Sequence, residues 1–419
     1  MTQVAARPSV LGERNFMLFW AGQAVSKTGG AVTTVALPLV MIQVLSADAF
    51  TMGVLNAAIW LPWLVIGLQA GAWADRVRKR PLMIACDIAS AVLLASVPVA
   101  AWLGVLTLAH ILFVAFAVGC ATVLFTAAYS AYVPFLVGRD NLLGANSRLH
   151  MTEQAAKVAG PGIGGVLATV TGAVAGLMVD AASFVVSALC LRSIRAVEPA
   201  TEPKPRRGIL AEVAEALKVV VRDPYLSVLT LHSGAVNFCM AGLQALWVLF
   251  LVRTAGLGGW VVGALTAAIA IGGVLGATLA PWYSRRVGSA RALRLGSPVT
   301  ALFGLLFPLA DPGIGIVLAL VGVMGSSMGT AANSVIAVSF RQAYCPREML
   351  GRVAMSIRFV IFGVNPIGSL LGGVLGTVLD LRTAIWILVI ANIAAGFTLY
   401  IGPIRTGRDL PVPTPEEKA

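Results

Sequence analysis

Charge is what this sequence has least of. Aspartate, glutamate, lysine and arginine make up 11% of its 419 residues, where a soluble domain carries roughly 25%. So little charge cannot coat a water-facing surface, and a soluble globular protein is excluded. Histidine is scarcer still: His110, His150 and His232 stand far apart. The cysteines Cys86, Cys120, Cys190, Cys239 and Cys345 show no CxxC or Cys/His spacing. That argues against a metal site or a disulfide frame and leaves free thiols. No GxxxxGK[ST] run occurs, so nothing cradles the phosphates of ATP. Nor is there the Ser/His or paired His/acid constellation that a membrane-embedded enzyme needs. We expect no catalysis, no metal and no cofactor. We also expect no cleavable leader: the first apolar run is long, keeps Lys27 inside it, and reads as a first span.

What fills the chain instead is apolar sequence, with 58% hydrophobic residues and a mean hydropathy of +0.89. These values mark an all-α polytopic membrane protein. Windows of ~20 apolar residues give about twelve spans, near 16–45, 51–73, 82–106, 108–133, 149–171, 173–194, 225–252, 257–283, 291–310, 313–340, 352–380 and 383–404. Spans one and eleven look overlong, either tilted or extending past the bilayer. One set of loops holds Arg7 and Arg14, the run 71–81, Arg139 and Arg148, the stretch 195–224, Arg285, Arg286, Arg291 and Arg294, Arg341, Arg347 and Arg352, and Arg405 and Arg408. The alternate loops hold only Arg253 and Arg382. Basic loops favour the cytoplasm, so both termini are expected there and the number of spans is even. Topology therefore accounts for the net charge of +12, and no nucleic-acid partner is expected.

The stretch 195–224 is the one long loop. It carries the Pro-rich, charged run EPATEPKPRR, then Ile209, Leu210, Val213, Leu217, Val220 and Val221 at helical spacing. We read an amphipathic helix on the cytoplasmic face. The chain then divides into a bundle at 1–194, a linker at 195–224, a second bundle at 225–404 and a cytoplasmic tail at 405–419, whose last residues read as disordered. The halves are weakly alike: APWYSRRVG near Trp282 parallels GAWADRVRK near Trp73, and KVAGPGIGG at 157–165 parallels FGVNPIGS at 362–369. Two halves built alike are what alternating access needs.

The polar run Gly71 to Pro81, GAWADRVRKRP, interrupts apolar sequence on both sides. Each charge placed at mid-membrane costs at least ~3 kcal/mol, so the run is expected as a tight loop at the cytoplasmic surface. Gly71, Asp75, Arg76, Lys79 and Arg80 match G-x-x-x-D-R-x-x-[RK]-[RK], and the run resembles the loop after the second helix of the major facilitator superfamily. That resemblance implies a gating role for these five residues. Gly160, Pro161, Gly164 and Gly165 resemble the fifth-span motif of the exporter branch, although Ala156 stands where an earlier glycine is usual. LVGRDNLLGANS (136–147), VDAASF (179–184) and FMLFWAGQAVSKTGGAVTTVALPL (16–39) resemble the macrolide-efflux and enterobactin-exporter branch over most of residues 15–400. The implied fold is about twelve transmembrane helices in two pseudo-symmetric six-helix bundles. The branch often has an acid after the first-span glycine; here Gly29 is followed by Gly30. Glycines four apart stack on one face and let helices approach: Gly67/Gly71, Gly160/Gly164, Gly272/Gly276 and Gly368/Gly372/Gly376. In the resembling family these spans form the interface between the halves.

Ionisable residues inside spans are functional candidates: Lys27, Asp87, Glu153, Lys157, Asp180 and Arg358. Glu153 and Lys157 are one turn apart and can pair; Glu153 is the leading candidate to carry a proton. Asp87 reads as a partner for the basic run, and Lys27 and Arg358 could pair with Glu153 or Asp180 or meet an anionic substrate. Gln23, Asn56, Trp60, Trp63, Gln69, Asn237, Gln244, Trp247 and Asn333 form a pool from which a substrate cavity could be lined. The expected function is proton-coupled export of hydrophobic or amphipathic small molecules by a monomer in the cell membrane. A proton-coupled importer on the same fold is the nearest rival. A non-transporting membrane protein fits less well, because it needs no charge at mid-membrane.

Overall fold

The computed structural model describes residues 14–196, 198, 217–345 and 347–411, without the side chains of some residues inside helices, Asp75 among them. Among the described residues every regular element is helical. In chain order these are α1 (Arg14–Gln43), α2 (Ala49–Val65), α3 (Gly67–Arg76), α4 (Lys79–Trp102), α5 (Leu108–Val170) and α6 (Ala173–Ser193). They continue as α7 (Pro224–Leu249), α8 (Gly259–Val287), α9 (Ser289–Leu302), α10 (Ile314–Tyr344), α11 (Arg347–Val378) and α12 (Leu381–Gly396). Ten segments of the described residues are long and apolar enough to cross a bilayer. The predicted second and fifth spans lie on α2–α3 and on the end of α5.

The helix ends follow local chemistry. Asp223 accepts from the N–H groups of Tyr225 and Leu226 at 2.9 and 2.8 Å, with Pro224 at the first helical position. Its oxygen satisfies donors that no carbonyl reaches, and the proline ring presets φ. Asp380 does the same for α12 through Thr383, at 3.0 Å. Gly172, at φ +87°, makes the turn from α5 to α6, a conformation that costs glycine little.

Two expectations are corrected. The polar run 71–81 is mostly helical, because α3 reaches Arg76 and α4 begins at Lys79, leaving only Val77 and Arg78 between them. The second span is itself broken at Ile66, between α2 and α3. The loop expected around Arg139 and Arg148 is also helical, since α5 runs unbroken for 63 residues. A straight rod of that length would reach ~95 Å, yet Phe19 packs on Tyr129 and Tyr132 while the adjacent Trp20 donates to Thr152. The run therefore bends sharply between residues 132 and 152. Of the expected amphipathic helix, Ile209, Leu210 and Val213 fall outside the described residues. Residues 217–222 are helical and Val220 is buried.

The chain packs as two compact units, residues 1–37 with 66–205 and residues 38–65 with 206–419. The first has a core of Phe16, Phe19, Met83, Tyr132, Leu149 and Leu191, drawn from α1, α4, α5 and α6. The second centres on Leu226, Leu293, Phe340, Ile357 and Leu399; in it α2 lies against α11 and α7. Residues 408–410 dock on the start of α9, where Ser289 N–H donates to Asp409 at 2.9 Å. Three of the four glycine stripes seat helices inside a unit, while a Cβ at Gly67 would meet nothing within 4 Å. A side chain at Gly160 would strike Ala31 of α1, and one at Gly276 the Met328 carbonyl of α10. One at Gly368 would strike the Phe238 carbonyl of α7.

Candidate functional site

One group of charges in the first unit forms where α1 meets the later part of α5. Trp20 bonds Thr152, Gly160 approaches Thr28 and Ala31, and Gly164 approaches Val32, so the two segments run parallel. That register brings Lys27 near one turn of α5. There Lys157 Nζ lies 2.8 Å from Glu153 Oε1, with the two side chains 53% and 35% exposed. Lys27 and His150 are both close enough to act electrostatically on Glu153, and Tyr129 feels the same carboxylate. A solvated i,i+4 pair contributes only ~0.3–0.5 kcal/mol, so it can be exchanged for another partner. One carboxylate among three basic groups can take a proton, release its lysine, and re-form the pair. Pro161 lies one turn beyond Lys157 within the unbroken helix, and Gly165 follows it.

Two further acids of this unit are buried without a cation among the described residues. Asp180 is 2% exposed; it accepts from Thr33 Oγ1 at 2.5 Å and Ser183 Oγ at 3.1 Å. Asp87 is 1% exposed, beside Ser187 of α6, and its Oδ2 has no hydrogen-bond partner. Asp87 was expected to serve the basic run, and the structure corrects this. It lies two turns along α4, ~10 Å by helical rise from Arg80, and the basic run finds other partners.

Those partners tie α4 to α6. Glu198 accepts from the backbone N–H of Lys79 at 2.7 Å and of Arg80 at 2.6 Å, capping α4. The Arg80 guanidinium donates to the carbonyls of Leu191 at 2.8 Å and Arg192 at 2.5 Å, closing the end of α6. An anion at a helix start and a cation at a helix end both complement the backbone dipoles. Arg76 ends α3 and is exposed. Gly71 and Asp75 lie on α3, and what their side chains meet is outside the described residues.

The remaining candidates do not converge. Arg358 is exposed on α11; it makes no ion pair among the described residues, and its charge is felt by Arg341. Gln23 is buried in α1. Asn56 donates to Ser369 Oγ at 2.7 Å and to the Ala241 carbonyl at 3.2 Å, joining α2 to α11 and α7. One turn on, Trp60 and Trp63 pack against Phe362 with centroids 5.6 and 5.1 Å apart. Asn237 bonds its own helix at Ser233, Trp247 faces Phe307, Asn333 is buried near Gly296, and Gln69 and Gln244 are exposed.

Sequence reasoning missed His150, Tyr129, Glu198 and the node at His232. His150 stands three residues before Glu153, a spacing that shares a helix face and could have found it. Glu198 had no such signal, being distant in sequence from the helix it caps. His232 is buried on α7. Its Nδ1 lies 3.2 Å from the Ala395 carbonyl and from Thr398 Oγ1, and its Nε2 lies 3.3 Å from Ser297 Oγ. A carbonyl only accepts, so Nδ1 carries the proton.

Comparison with known proteins adds three findings. The profile of the transmembrane secretion effector family, a branch of the major facilitators, matches residues 7–413. The multidrug efflux pump Tap of Mycolicibacterium fortuitum is 28% identical over 91% of this chain and 94% of its own. The enterobactin exporter EntS of Citrobacter koseri is 27% identical over 68% of this chain and 67% of its own. Among solved structures, a point mutant of the nucleoside transporter NupG superposes with a TM-score of 0.78 at 12% identity, covering 92% of this chain and 98% of that one. A bacterial homologue of the iron transporter ferroportin, in its inward-facing state, gives 0.75 at 15% identity, covering 92% and 98%. At such identities these structures speak to the fold alone.

Proposed function

Because the chain belongs to the transmembrane secretion effector family of the major facilitator superfamily, a multi-pass membrane transporter family, we propose that it exports hydrophobic or amphipathic small molecules in exchange for protons. The observation that carries this reading is the pairing of Glu153 with Lys157 on the part of α5 that lies along α1, with Lys27 and His150 close enough to act on the carboxylate. Titratable charge inside a span is costly and marks a proton or substrate path. The relatives named as efflux pumps support the outward direction.

In this proposal Glu153 takes a proton and frees Lys157, and the change in pairing accompanies the exchange of one access state for the other. Asp75 latches the cytoplasmic rim, and Gly71, Arg76, Lys79 and Arg80 support it. The substrate meets side chains drawn from Gln23, Asn56, Trp60, Trp63, Asn237, Gln244, Trp247 and Asn333. The protein acts as a monomer in the cell membrane with both termini in the cytoplasm, without enzymatic activity or nucleic-acid binding. Its working halves are the bundles 1–194 and 225–404. The test is accumulation of a fluorescent amphipathic dye in cells expressing the protein. Accumulation should fall and return on adding a proton uncoupler; accumulation unaffected by expression would sink the proposal. Normal efflux in Asp75→Asn would remove the latch.

A further inference from the structure

The turn from α8 to α9 carries arginine almost without acid. Arg285 and Arg286 end α8, Arg291 and Arg294 stand near the start of α9, and neither helix contains an aspartate or glutamate. The segment after α12 comes back to the same turn. The Arg408 carbonyl accepts from the N–H groups of Ala290 at 3.1 Å and Arg291 at 3.2 Å. Asp409 accepts from Ser289 N–H at 2.9 Å, Leu410 N–H donates to Ser289 Oγ at 2.8 Å, and the Leu410 side chain is buried. This docking sets the Arg408 stem over the turn: a Cβ on Gly288 would lie 2.6 Å from Arg408 Cγ. Arg294 is spent on the Ile404 carbonyl, at 3.2 Å, and on the Tyr400 ring. Arg285, Arg286, Arg291 and Arg405 are exposed, and their guanidinium groups make no hydrogen bond or ion pair among the described residues. Asp409, the one acid of residues 397–411, is committed to the start of α9 and lies 3.9 Å from Arg408.

Away from the turn, both helices hold apolar side chains outward in line with these arginines. Leu275, Leu279, Trp282 and Arg286 recur at helical spacing along α8, and all are exposed. Arg291, Leu295, Val299 and Leu302 do the same from the start of α9. Both segments are long and apolar enough to cross a bilayer, so each presents a hydrocarbon track that ends in a cation. The Arg286 guanidinium lies 5.6 Å from the Trp282 ring centroid; stacking uses its face and leaves its N–H edge to donate. An exposed tryptophan at the end of a span stands at headgroup level. Setting topology requires only that charge lie on this side of the membrane. The hydrogen bonds that fix residues 408–410 go further and gather it at one place.

We propose that this turn is a docking surface for an anionic phospholipid, its phosphate accepting from Arg286, Arg291 and Arg408 and its acyl chains lying along Leu279, Trp282 and Leu295. Guanidinium groups give phosphate oxygens paired, charge-assisted donors, and anionic lipids are drawn to basic groups at the bilayer surface. The inference uses the membrane-spanning character of α8 and α9 and nothing of the export reading.

The test is native mass spectrometry of the full-length protein in detergent, titrated with dioleoylphosphatidylglycerol and, separately, dioleoylphosphatidylcholine, whose acyl chains are the same. The wild type should bind its first phosphatidylglycerol at least tenfold more tightly than phosphatidylcholine. The triple variant Arg286→Gln, Arg291→Gln, Arg408→Gln should bring that ratio near one. A control triple that removes equal charge from exposed positions elsewhere, Arg14→Gln, Arg195→Gln, Arg222→Gln, should keep it. No headgroup preference in the wild type, or equal losses in the two triples, as attraction by net charge alone would give, would overturn the proposal. Displacement of the lipid by millimolar inorganic phosphate would also overturn it, by making the site one for soluble phosphate. Should the first triple not yield folded protein, Arg286→Gln alone, which lies outside the docked segment, should lower the ratio at least threefold, and an unchanged ratio would equally overturn the proposal. Lipid retention in detergent needs neither gradient nor substrate, which separates this result from any failure of export.

Discussion

The two units bury polarity in opposite ways. The first encloses acids that lack a matching cation among the described residues, Asp87 and Asp180, and sets Glu153 among three basic groups. Among the described residues the fully buried polar groups of the second are neutral, although Thr230 Oγ1, Asn365 Oδ1 and Asn392 Oδ1 lack a hydrogen-bond partner. His232 has partners on both ring nitrogens, and Asn56 spends its amide hydrogens on Ser369 and Ala241. The second unit's ion pair between Arg382 and Asp311, at 2.7 Å, lies where α12 begins. A buried polar group that is fully bonded specifies packing, whereas an unbalanced charge is a standing cost that function has to justify. The contrast supports our proposal that charge chemistry belongs to the first unit.

The sharpest break of that contrast is on the packing side. A Cβ at Gly276 would fall on the Met328 carbonyl, while Gly273, on another face of α8, has nothing within 4 Å. Gly276→Ala should cost about 1–3 kcal/mol, read as a fall in melting temperature and a loss of monodisperse protein. Gly273→Ala should be neutral or slightly stabilising. Equal effects would mean that the α8–α10 approach is not what holds the second unit.

A smaller effect is expected at the clamp between α4 and α6. Glu198→Gln leaves the amide oxygen to accept and removes the charge, so it should cost about 0.5–1 kcal/mol. Hydrogen exchange of the Lys79 and Arg80 amides should rise while that of α9 amides stays constant. No change at Lys79 and Arg80 would show that the cap is not formed in solution.

The smallest effect lies at the start of α2. Hydrogen bonds from the Thr51 hydroxyl and N–H hold the Asp48 carboxyl below its usual value, with the N–H at 2.8 Å. A depressed carboxyl contributes stability above its unfolded value, and that contribution is lost as pH falls through the folded one. The group is largely exposed, so solvent screening limits the effect to a few tenths of a kcal/mol. Melting temperature should fall slightly more between pH 5 and pH 3 in the wild type than in Asp48→Asn.

Much of the fold was legible because its signals are local. Apolar run length placed the spans. The bend in α5 reads as a loop in the sequence because Arg139 and Arg148 suggest solvent, whereas a helix can carry its hydrogen bonds through a bend. The candidate site was legible only where partners share a helix face, as Glu153 and Lys157 do. Lys27 joins them through the parallel register of α1 on α5, which close approach at Gly160 and Gly164 sets and no spacing in sequence reveals. The same holds for Asp180, whose partner Thr33 is 147 positions away.

The central claim is that the first unit carries the proton chemistry. Reconstituted vesicles with an imposed pH gradient test it directly, by following pH-dependent efflux of a dye in Glu153→Gln and Asp311→Asn beside the wild type. The account predicts that Glu153→Gln loses the gradient dependence at least tenfold while Asp311→Asn keeps it. Gradient-driven efflux persisting in Glu153→Gln, or lost only in Asp311→Asn, would contradict it.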